Sequence, residues 1–285
     1  MKRCVIVGGA GIDNYEAIKR YLAPDDFYIF CDCGMKHAEK LGICPDLIVG
    51  DFDSWSPDPD SEINFGVLNQ DLNYRNVHAH IDNSSGLMEY NDQSIIYESR
   101  SAAPGNSTST EDDADAENYA ENALKSSHRK YNTDYHRKTP QILVLPHEKF
   151  DTDTVYGVRE GIERGFDDFL IIGAVGQRMS HTLSNLYILV MLDSKGKKGL
   201  LVDDYSDMEL VSSEPAYITD DHSGFSLVNI TGKAKGIRLT GAKYTYFMDD
   251  KISCDYQYGI SNQVIPGMTA CVSVEEGSLL LIRDR

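Results

Sequence analysis

Short apolar runs alternate with stretches of helical periodicity over the first 205 residues. The runs predicted to be strands are rich in β-branched residues and cover 4–7, 27–31, 47–49, 141–145, 169–172 and 200–202. The amphipathic stretches predicted to be helices lie between them, at 14–22, 34–41, 154–164 and 181–192. Strands that alternate with helices indicate a mostly parallel sheet with helices on both faces. We therefore predict a doubly wound α/β domain over residues 1–205.

The pattern changes from about Met208 onward. Apolar and polar residues alternate there between glycines, as in 225–230 and 278–282, and no helical period remains. A period of two is typical of strands with one buried face. We predict that residues 206–285 form a small all-β domain, a sandwich in preference to a barrel.

One polar segment, at about residues 56–139, belongs to neither domain. Its second half includes the small polar run 102–110, which leads into acidic residues and offers few side chains to a core. This composition predicts a mobile insertion with at most a short helix near 116–124. The first half contains Leu72, Tyr74 and the run 95–97, which are compatible with a hairpin.

The composition limits the kinds of partner that the chain can bind. A formal net charge of -18 argues against nucleic acid and against an anionic membrane surface, because both need a basic surface. It does not exclude a nucleotide, since bound cations can invert the local field. The six cysteines lack the paired spacing of a zinc site, and no run is long enough to cross a bilayer. We expect a reduced, cytoplasmic protein with a small-molecule partner.

The most informative tripeptide is Asp51-Phe52-Asp53, which follows the apolar run 47–49 and precedes Ser54. Residues two apart in a strand face the same side, so both carboxylates would project from the carboxyl end of the strand. Open α/β sheets usually bind their ligands at that end. The arrangement suits a divalent metal that carries phosphates. Two solvated acids in a turn are the simpler alternative, because Asp favours turns.

Two short motifs follow the first two predicted strands. Gly8-Gly9-Ala10-Gly11 would let backbone amides approach a phosphate, although the incomplete GxGxxG spacing is equally consistent with a tight turn. Asp32, after the second strand, could join a metal shell or hold a ribose hydroxyl. Its alternative role is to cap the helix that begins near Gly34.

Two further motifs precede predicted helices. In Asp151-Thr152-Asp153 the residues normally just cap a helix, but these acids reach the same sheet edge as Asp51, which makes metal coordination credible. In the block 173–185, Arg178 is placed to fork onto phosphate oxygens and Ser180 to cap a helix. His181 and Asn185 would share one face of that helix. A surface arginine, a packed histidine and an asparagine bonded to backbone remain the structural alternatives.

Taken together, three blocks of the chain resemble thiamine pyrophosphokinase: Gly50-Asp51-Phe52-Asp53-Ser54, 149–154 and 173–185. The resemblance extends over nearly the whole chain except the insertion, and includes 236–244 and 259–262 in the tail. It implies an α/β domain followed by a thiamine-binding β-sandwich. It also implies transfer of the terminal pyrophosphoryl group of ATP to the hydroxyl of thiamine, which gives thiamine diphosphate and AMP. Members of this family are homodimers that build the thiamine site from both subunits.

The resemblance also implies roles for individual residues. The expected ligands of one or two Mg²⁺ ions are Asp32, Asp51, Asp53 and Asp153. The residues expected at ATP are Gly9, Gly11, Asp32, Asp151, Thr152, Arg178, His181 and Asn185. The residues expected at thiamine are Ser54, Ser180, Ser261 and Asn262. The catalytic group comprises Asp51, Asp53, Asp153 and Arg178, with either Asp151 or Asp153 as the acceptor of the thiamine proton.

Three features depart from the family pattern. Ser180 stands where the family usually has Asp, Cys33-Gly34 stands where it usually has two glycines, and the insertion replaces a short connection. The missing carboxylate leaves open a thiamine or nucleotide sensor that has lost catalysis. A phosphatase of the haloacid dehalogenase type is a less favoured alternative, because its DxD motif follows the first strand of the fold and not the third.

Overall fold

The computed structural model describes residues 2–52, 140–176, 178–245 and 251–285. The predicted insertion at 56–139, with its hairpin and short helix, lies outside these residues. So do two of the predicted site residues, Asp53 and Ser54.

Six parallel strands form one part of a ten-stranded sheet, in the order β6-β5-β1-β2-β3-β4. Their bounds are β1 (Cys4–Val7), β2 (Phe27–Cys31), β3 (Leu47–Gly50), β4 (Gln141–Val144), β5 (Asp168–Ile172) and β6 (Lys198–Val202). Each coincides with a predicted strand to within one or two residues at its ends. The strands are almost wholly apolar because helices cover both faces of the sheet.

Helices lie on both faces of these strands. One face carries α1 (Tyr15–Lys19), a 3₁₀ helix (Asp32–His37) and α2 (Ala38–Leu41), which pack against Val5 and Val7 of β1. The other carries α3 (Asp153–Glu163) and α4 (Met179–Ser194), which pack against Cys4 and Ile6. Alternate residues of β1 thus enter two separate cores, as the pleat of a strand requires.

The segment predicted as one helix over 34–41 is instead a 3₁₀ helix followed by a single turn of α-helix. Gly34 lies so close to β1 that a Cβ atom at this position would be 2.1 Å from the carbonyl oxygen of Val7. The tight winding therefore brings the backbone against the end of the strand. Helix α1 is also shorter than the predicted 14–22, and the side chain of Asn14 caps it by accepting a hydrogen bond from the N–H of Ala17.

The remaining part of the chain is built from antiparallel strands. Their bounds are β7 (Ser206–Val211), β8 (Ala216–Ile218), β9 (Gly224–Val228), β10 (Lys233–Lys235), β11 (Arg238–Thr240), β12 (Lys251–Ser253), β13 (Gly259–Asn262), β14 (Ala270–Ser273) and β15 (Leu279–Asp284). Four of them extend the central sheet beyond β6 in the order β7-β15-β9-β13. The others form a two-stranded sheet, β10-β12, and a three-stranded sheet, β11-β14-β8.

The antiparallel strands enclose a core of their own. Phe225 and Leu281 of the extended sheet are fully buried in one cluster with Ile218 and Val272 of the three-stranded sheet. The predicted fold class is confirmed: a mostly parallel sheet with helices on both faces is followed by an all-β sandwich. The division at residues 205 and 206 stays a prediction, and the sheet itself continues across it from β6 to β7. Among the described residues, no helix has the length and apolar character that a membrane span requires.

Candidate metal and nucleotide site

Most of the predicted site residues lie at one edge of the parallel sheet. The chain runs from β1 through β2 and β3 to β4 on one side of β1, and then returns to place β5 on the other side. The strand order therefore reverses between β1 and β5. In open α/β sheets the crevice at such a reversal, beyond the carboxyl ends of the strands, is the usual ligand site.

Three carboxylates meet at this edge. Asp32 follows β2, Asp51 follows β3 and Asp153 begins α3, and one oxygen atom from each lies within 4.8 Å of the others. The side chains of Asp51 and Asp153 are 5% and 23% exposed, and Asp32 is buried. We call these three residues the carboxylate cluster. Acids grouped in this way are candidates to hold one metal ion, and carboxylate oxygens are the ligands that Mg²⁺ prefers.

The backbone around the carboxylate cluster is unusual. Asp32 and Phe52 both have positive φ angles, 39° and 58°, which few residues other than glycine adopt and which concentrate at functional sites. Strand β3 ends at Gly50, so Asp51 already lies beyond the ladder. The expected extended backbone through Asp51 and Phe52 is therefore wrong, because Phe52 is left-handed. The direction of Asp53 falls outside the described residues and stays a prediction.

Lys149 neutralises part of the charge of the carboxylate cluster. Its ammonium donates a hydrogen bond to Oδ2 of Asp51, and it lies 3.2 Å from Oδ1 of Asp153. Burial lowers the pKa of Lys149, but the hydrogen bond to Asp51 and the charge of Asp153 outweigh that effect, so the pKa is raised. Three carboxylates and one ammonium leave a formal charge of -2 when all are ionised. The sequence block that contains Lys149 was singled out, but this role was missed because Asp51 is 98 positions away.

The pKa of Asp153 is raised by its position in the carboxylate cluster. Burial raises the pKa of Asp153, and the negative charges of Asp51 and Asp32 raise it further. The ammonium of Lys149 lowers it, but not enough to restore the ordinary value. Asp153 thus resists ionisation, as expected for a carboxylate that shares one small volume with two others.

The loops after β1 and β5 are joined at the point where the strand order reverses. The N–H of Gly8 donates to the carbonyl oxygen of Ile172, and that of Ala10 donates to Gly173, both at 2.8 Å. A Cβ atom on Gly8 would lie 2.6 Å from the carbonyl oxygen of Gly173, which explains why glycine is needed at Gly8. Gly11, by contrast, is exposed and has no atom within 4 Å of a Cβ built on it. The tight turn therefore accounts for Gly8, while the phosphate role of Gly9 and Gly11 stays a prediction.

The side chains of His37 and Lys36 bind the backbone of the loop that follows β1. Nε2 of His37 lies 2.7 Å from the carbonyl oxygen of Ala10, and its Nδ1 lies 2.7 Å from the hydroxyl of Tyr15. The ammonium of Lys36 donates to the carbonyl oxygen of Gly9 at 2.5 Å. Burial lowers the pKa of His37 to about 4, so the ring is neutral and donates through one nitrogen only. No local pattern indicated these contacts.

The two residues before Asp153 have structural partners. The hydroxyl of Thr152 caps α3 by accepting a hydrogen bond from the N–H of Val155 at 3.4 Å. The carboxylate of Asp151 lies 2.6 Å from the guanidinium of Arg159 on the same helix. Both therefore help to fix the start of α3, which carries Asp153.

Arg178 and Ser180 lie at the start of α4, on the surface. The residue at the N-cap position is Arg178, and no side chain caps the helix, so the predicted cap by Ser180 is wrong. Ser180 lies within the first turn and is exposed. The exposed guanidinium of Arg178 is consistent with the predicted phosphate contact, which stays a prediction.

His181 and Asn185 differ in how far they are buried. Burial lowers the pKa of His181, and the charge of Arg178 lowers it further. Asn185 is buried, and its amide nitrogen donates to the carbonyl oxygen of Ala174 at 2.8 Å. Its Oδ1 is buried without a hydrogen-bond partner among the described residues. A buried acceptor without a partner, close to the loops after β1 and β5, is available to a ligand that donates a hydrogen bond.

The architecture matches those of several solved structures. The thiamine pyrophosphokinase of Bacillus subtilis aligns with a TM-score of 0.62 and 18% identity, covering 99% of each chain. The thiamin pyrophosphokinase of Geobacillus thermodenitrificans gives 0.61 and 18%, covering 99% of this chain and 97% of that one. That of Candida albicans gives 0.58 and 11%, covering 99% and 88%.

The chain has the fold of the thiamine pyrophosphokinases. No protein-family model matches its sequence, and no curated protein does. At this level of identity the similarity establishes the thiamine pyrophosphokinase fold, while the activity has to be argued from the residues at the site.

Within this thiamine pyrophosphokinase fold, Ser261 and Asn262 do not join the carboxylate cluster. They lie on β13, the terminal strand of the sheet, eight strand positions from β3. With about 4.8 Å between neighbouring strands, the separation along the sheet is roughly 38 Å. Asn262 is buried and its amide binds the N–H and the carbonyl oxygen of Tyr244. Ser261 is exposed and has a φ angle of 60°.

Proposed function

We propose that this chain is a thiamine pyrophosphokinase, which transfers the pyrophosphoryl group of ATP to the hydroxyl of thiamine and releases AMP. The observation that carries the proposal is the carboxylate cluster, in which acids that follow three different strands meet at the carboxyl edge of the parallel sheet. Phosphoryl transfer requires chiefly that reactants are positioned and that charge on oxygen is neutralised. A cluster of acids that can hold a divalent cation is suited to that task.

The residues of the carboxylate cluster fit a magnesium ion. All three donors are hard oxygen atoms, and the formal charge of -2 that remains beside Lys149 matches one divalent cation. Asp32, Asp51 and Asp153 would hold the ion, and we propose Asp53 as a further ligand. When bound, Mg²⁺ neutralises phosphate oxygens and thereby favours attack at phosphorus.

The cations and amides around the switch point would hold the phosphates of ATP. We propose that the guanidinium of Arg178 braces phosphate oxygens together with the N–H groups of Gly9 and Gly11. His181 is biased toward its neutral form, so it would contribute a hydrogen bond and not a charge. Asn185 would accept a hydrogen bond from the nucleotide through Oδ1.

In the proposed reaction the hydroxyl oxygen of thiamine attacks the β-phosphorus, and the bond from that phosphorus to the oxygen of AMP breaks. Two carboxylates were candidates for accepting the hydroxyl proton, Asp151 and Asp153. Asp151 is paired with Arg159, whereas Asp153 lies in the carboxylate cluster, where the phosphates would be held, so we propose Asp153 as the acceptor. We propose that the proton goes to Oδ2 of Asp153, because Oδ1 faces Lys149.

We propose that the thiamine site needs a second copy of the chain. Ser261 and Asn262 are roughly 38 Å along the sheet from β3 within one chain, so they cannot contribute to a site beside Asp51 of the same copy. A homodimer would bring them to the partner's carboxylate cluster. Ser54 and Ser180 are the thiamine contacts that we propose from the near subunit.

The assay is chromatography of ATP, Mg²⁺ and thiamine after incubation with the protein. We expect AMP and thiamine diphosphate to form in equal amounts, and the formation of both to be strongly reduced with Asp51→Asn. Binding of both ligands without AMP would instead identify a sensor. Release of orthophosphate from ATP, with a phosphate covalently attached to Asp51, would identify the phosphatase alternative.

A further inference from the structure

A pocket of about 640 Å³ lies apart from the carboxylate cluster, between the end of α1 and strands β6, β7, β8 and β15. None of its lining residues belongs to the carboxylate cluster. Leu200 and Tyr21 place it on the face of the sheet that α1 covers, whereas Asp153 begins a helix on the opposite face. Strands β6 and β2 are three positions apart, about 14 Å along the sheet. The pocket is therefore a separate site.

The acids in the wall of this pocket are already engaged. Asp207 is buried, and its Oδ1 lies 2.6 Å from the guanidinium of Arg283 while its Oδ2 accepts a hydrogen bond from the hydroxyl of Tyr21 at 2.9 Å. Asp221 accepts a hydrogen bond from the hydroxyl of Thr219 and lies 3.3 Å from Nδ1 of His222. Asp207 meets Arg285 only indirectly, because the hydroxyl of Tyr21 donates to Asp207 and accepts from Nη1 of Arg285.

Arg285 brings a positive charge to the pocket and forms no direct ion pair with a carboxylate side chain among the residues that the structure describes. Its Nη1 donates to the hydroxyl of Tyr21 at 2.9 Å, and its Nη2 donates to the carbonyl oxygens of Asp203 and Ser206. All of these acceptors are neutral. Its Nε is buried and has no hydrogen-bond partner within the described ranges. A guanidinium held by neutral groups is a cation that can still bind an anion.

Arg20 supplies a second cation at the mouth of the pocket. It follows the last residue of α1, its side chain is exposed, and no ion pair forms with it among the described residues. The ring of Tyr217 is 61% exposed at the same pocket, and Leu200 adds an apolar surface. Two unpaired arginines beside an exposed ring are unexpected on a chain whose net charge is -18.

We propose that this pocket binds a small organic anion, in which a phosphate or carboxylate group is carried on a flat apolar body. Arg20 and Arg285 would hold the anionic group, and Tyr217 and Leu200 would pack against the body. The volume is typical of small-molecule sites and exceeds what a free inorganic ion needs. The inference does not depend on the proposed function.

The test is isothermal titration calorimetry on the full chain with phenyl phosphate and with benzoate, in EDTA so that no divalent metal recruits phosphate to the carboxylate cluster. We expect at least one of the two probes to bind, and benzyl alcohol, which lacks the anion, not to bind. Inorganic phosphate should bind more weakly than phenyl phosphate. The probe that binds with the higher affinity shows whether the pocket prefers a phosphate or a carboxylate.

Single-residue variants test whether the probe binds in this pocket. Arg20→Gln and Arg285→Gln should each weaken it about tenfold or more, since each removes a charge-assisted hydrogen bond. Arg238→Gln, at an exposed arginine on β11, and Asp51→Asn should leave it unchanged. Arg20 is exposed, so its variant carries the test if Arg285→Gln does not fold. Failure of both probes to bind, unchanged affinity in Arg20→Gln, or loss of binding in Asp51→Asn overturns the proposal.

Discussion

The ammonium nitrogen of Lys149 lies 3.2 Å from Oδ1 of Asp153, four residues further along the chain. The same nitrogen binds Asp51, so one cation of the protein already holds two of the three clustered carboxylates. The pair is poorly exposed, because the side chain of Lys149 is only 10% accessible. Lys149 therefore stabilises an arrangement of acids that would otherwise repel one another.

Lys149→Gln should lower the stability of the metal-free protein and raise its affinity for Mg²⁺. Removing one partner of a buried ion pair costs about 3 kcal/mol, because the other charges are left uncompensated. The same loss makes the site more negative, so Mg²⁺ should bind about tenfold more tightly or better. Urea denaturation in EDTA and calorimetric titration with MgCl₂ measure the two effects.

Lys197→Gln is the matched control for that experiment. Lys197 also forms an ion pair, with Asp167 at 2.6 Å, but on the surface of the protein. Its loss should cost about 1 kcal/mol or less and leave Mg²⁺ binding unchanged. A weaker affinity for Mg²⁺ in Lys149→Gln would show that Lys149 builds the metal site and does not merely offset its charge.

Asp51→Asn and Asp153→Asn should each reduce the formation of AMP from ATP and thiamine by about 10²-fold or more. Each change removes a metal ligand and one unit of negative charge while it preserves the shape of the side chain. Circular dichroism checks that the fold is retained, and a fixed-time chromatographic assay measures the rate. Asp167→Asn, at an exposed carboxylate, should keep the full rate. Turnover retained in both cluster variants would remove this mechanism.

Asp153→Asn should be more stable than the natural chain at pH 7 in EDTA. The raised pKa of Asp153 means that the folded state binds this proton more readily than the unfolded state does, so the ionised carboxylate destabilises the fold at neutral pH. That penalty disappears as the pH falls through the folded-state pKa. The difference in the free energy of unfolding should therefore shrink between pH 7 and about pH 4. A difference that grows toward acid pH would contradict the assignment.

Gly34→Ala should destabilise the fold by about 2 kcal/mol or more, because the added methyl group would lie 2.1 Å from the carbonyl oxygen of Val7. Displacement of the 3₁₀ helix would also move Asp32 and weaken Mg²⁺ binding. Gly11→Ala is the control for stability, since a Cβ atom there meets nothing within 4 Å. Thermal denaturation of the two variants should separate them clearly. Equal melting temperatures would mean that β1 and the 3₁₀ helix can move apart at little cost.

Ser180→Asp should raise kcat/KM for thiamine by about tenfold, the effect of one charge-assisted hydrogen bond. The side chain at this position is exposed in the first turn of α4, where a carboxylate also stabilises the helix by about 0.3–1 kcal/mol. Ser184→Asp, one turn further along α4, controls for a general effect of charge. An unchanged rate in Ser180→Asp would show that the reaction tolerates serine here.

The central strands could be predicted from the sequence almost to the residue. β1 and β2 coincide with the predicted 4–7 and 27–31, because a continuous apolar run that ends in glycine or aspartate has few alternatives in an α/β chain. Asp32, Asp51 and Asp153 were also placed together in advance, since the carboxyl ends of parallel strands share one edge.

The features that escaped prediction depend on contacts between distant segments. The 3₁₀ helix forms where Gly34 packs against Val7, and the left-handed Phe52 has no local signal. Lys149 and His37 gain their roles from Asp51 and Ala10, which are far away along the chain. Alternation in the tail predicted strands, but it could not tell that β15 pairs with both β7 and β9.

The ladder between β6 and β7, in which Leu201 pairs with Met208, joins the parallel and antiparallel strands into one continuous sheet. A hinge at this junction would have to break backbone hydrogen bonds within the sheet. We therefore expect a substrate to enter and leave through motion of loops, without rotation of the parallel strands against the antiparallel strands. Amide protons on the two sides of the junction should exchange with deuterium at similarly slow rates.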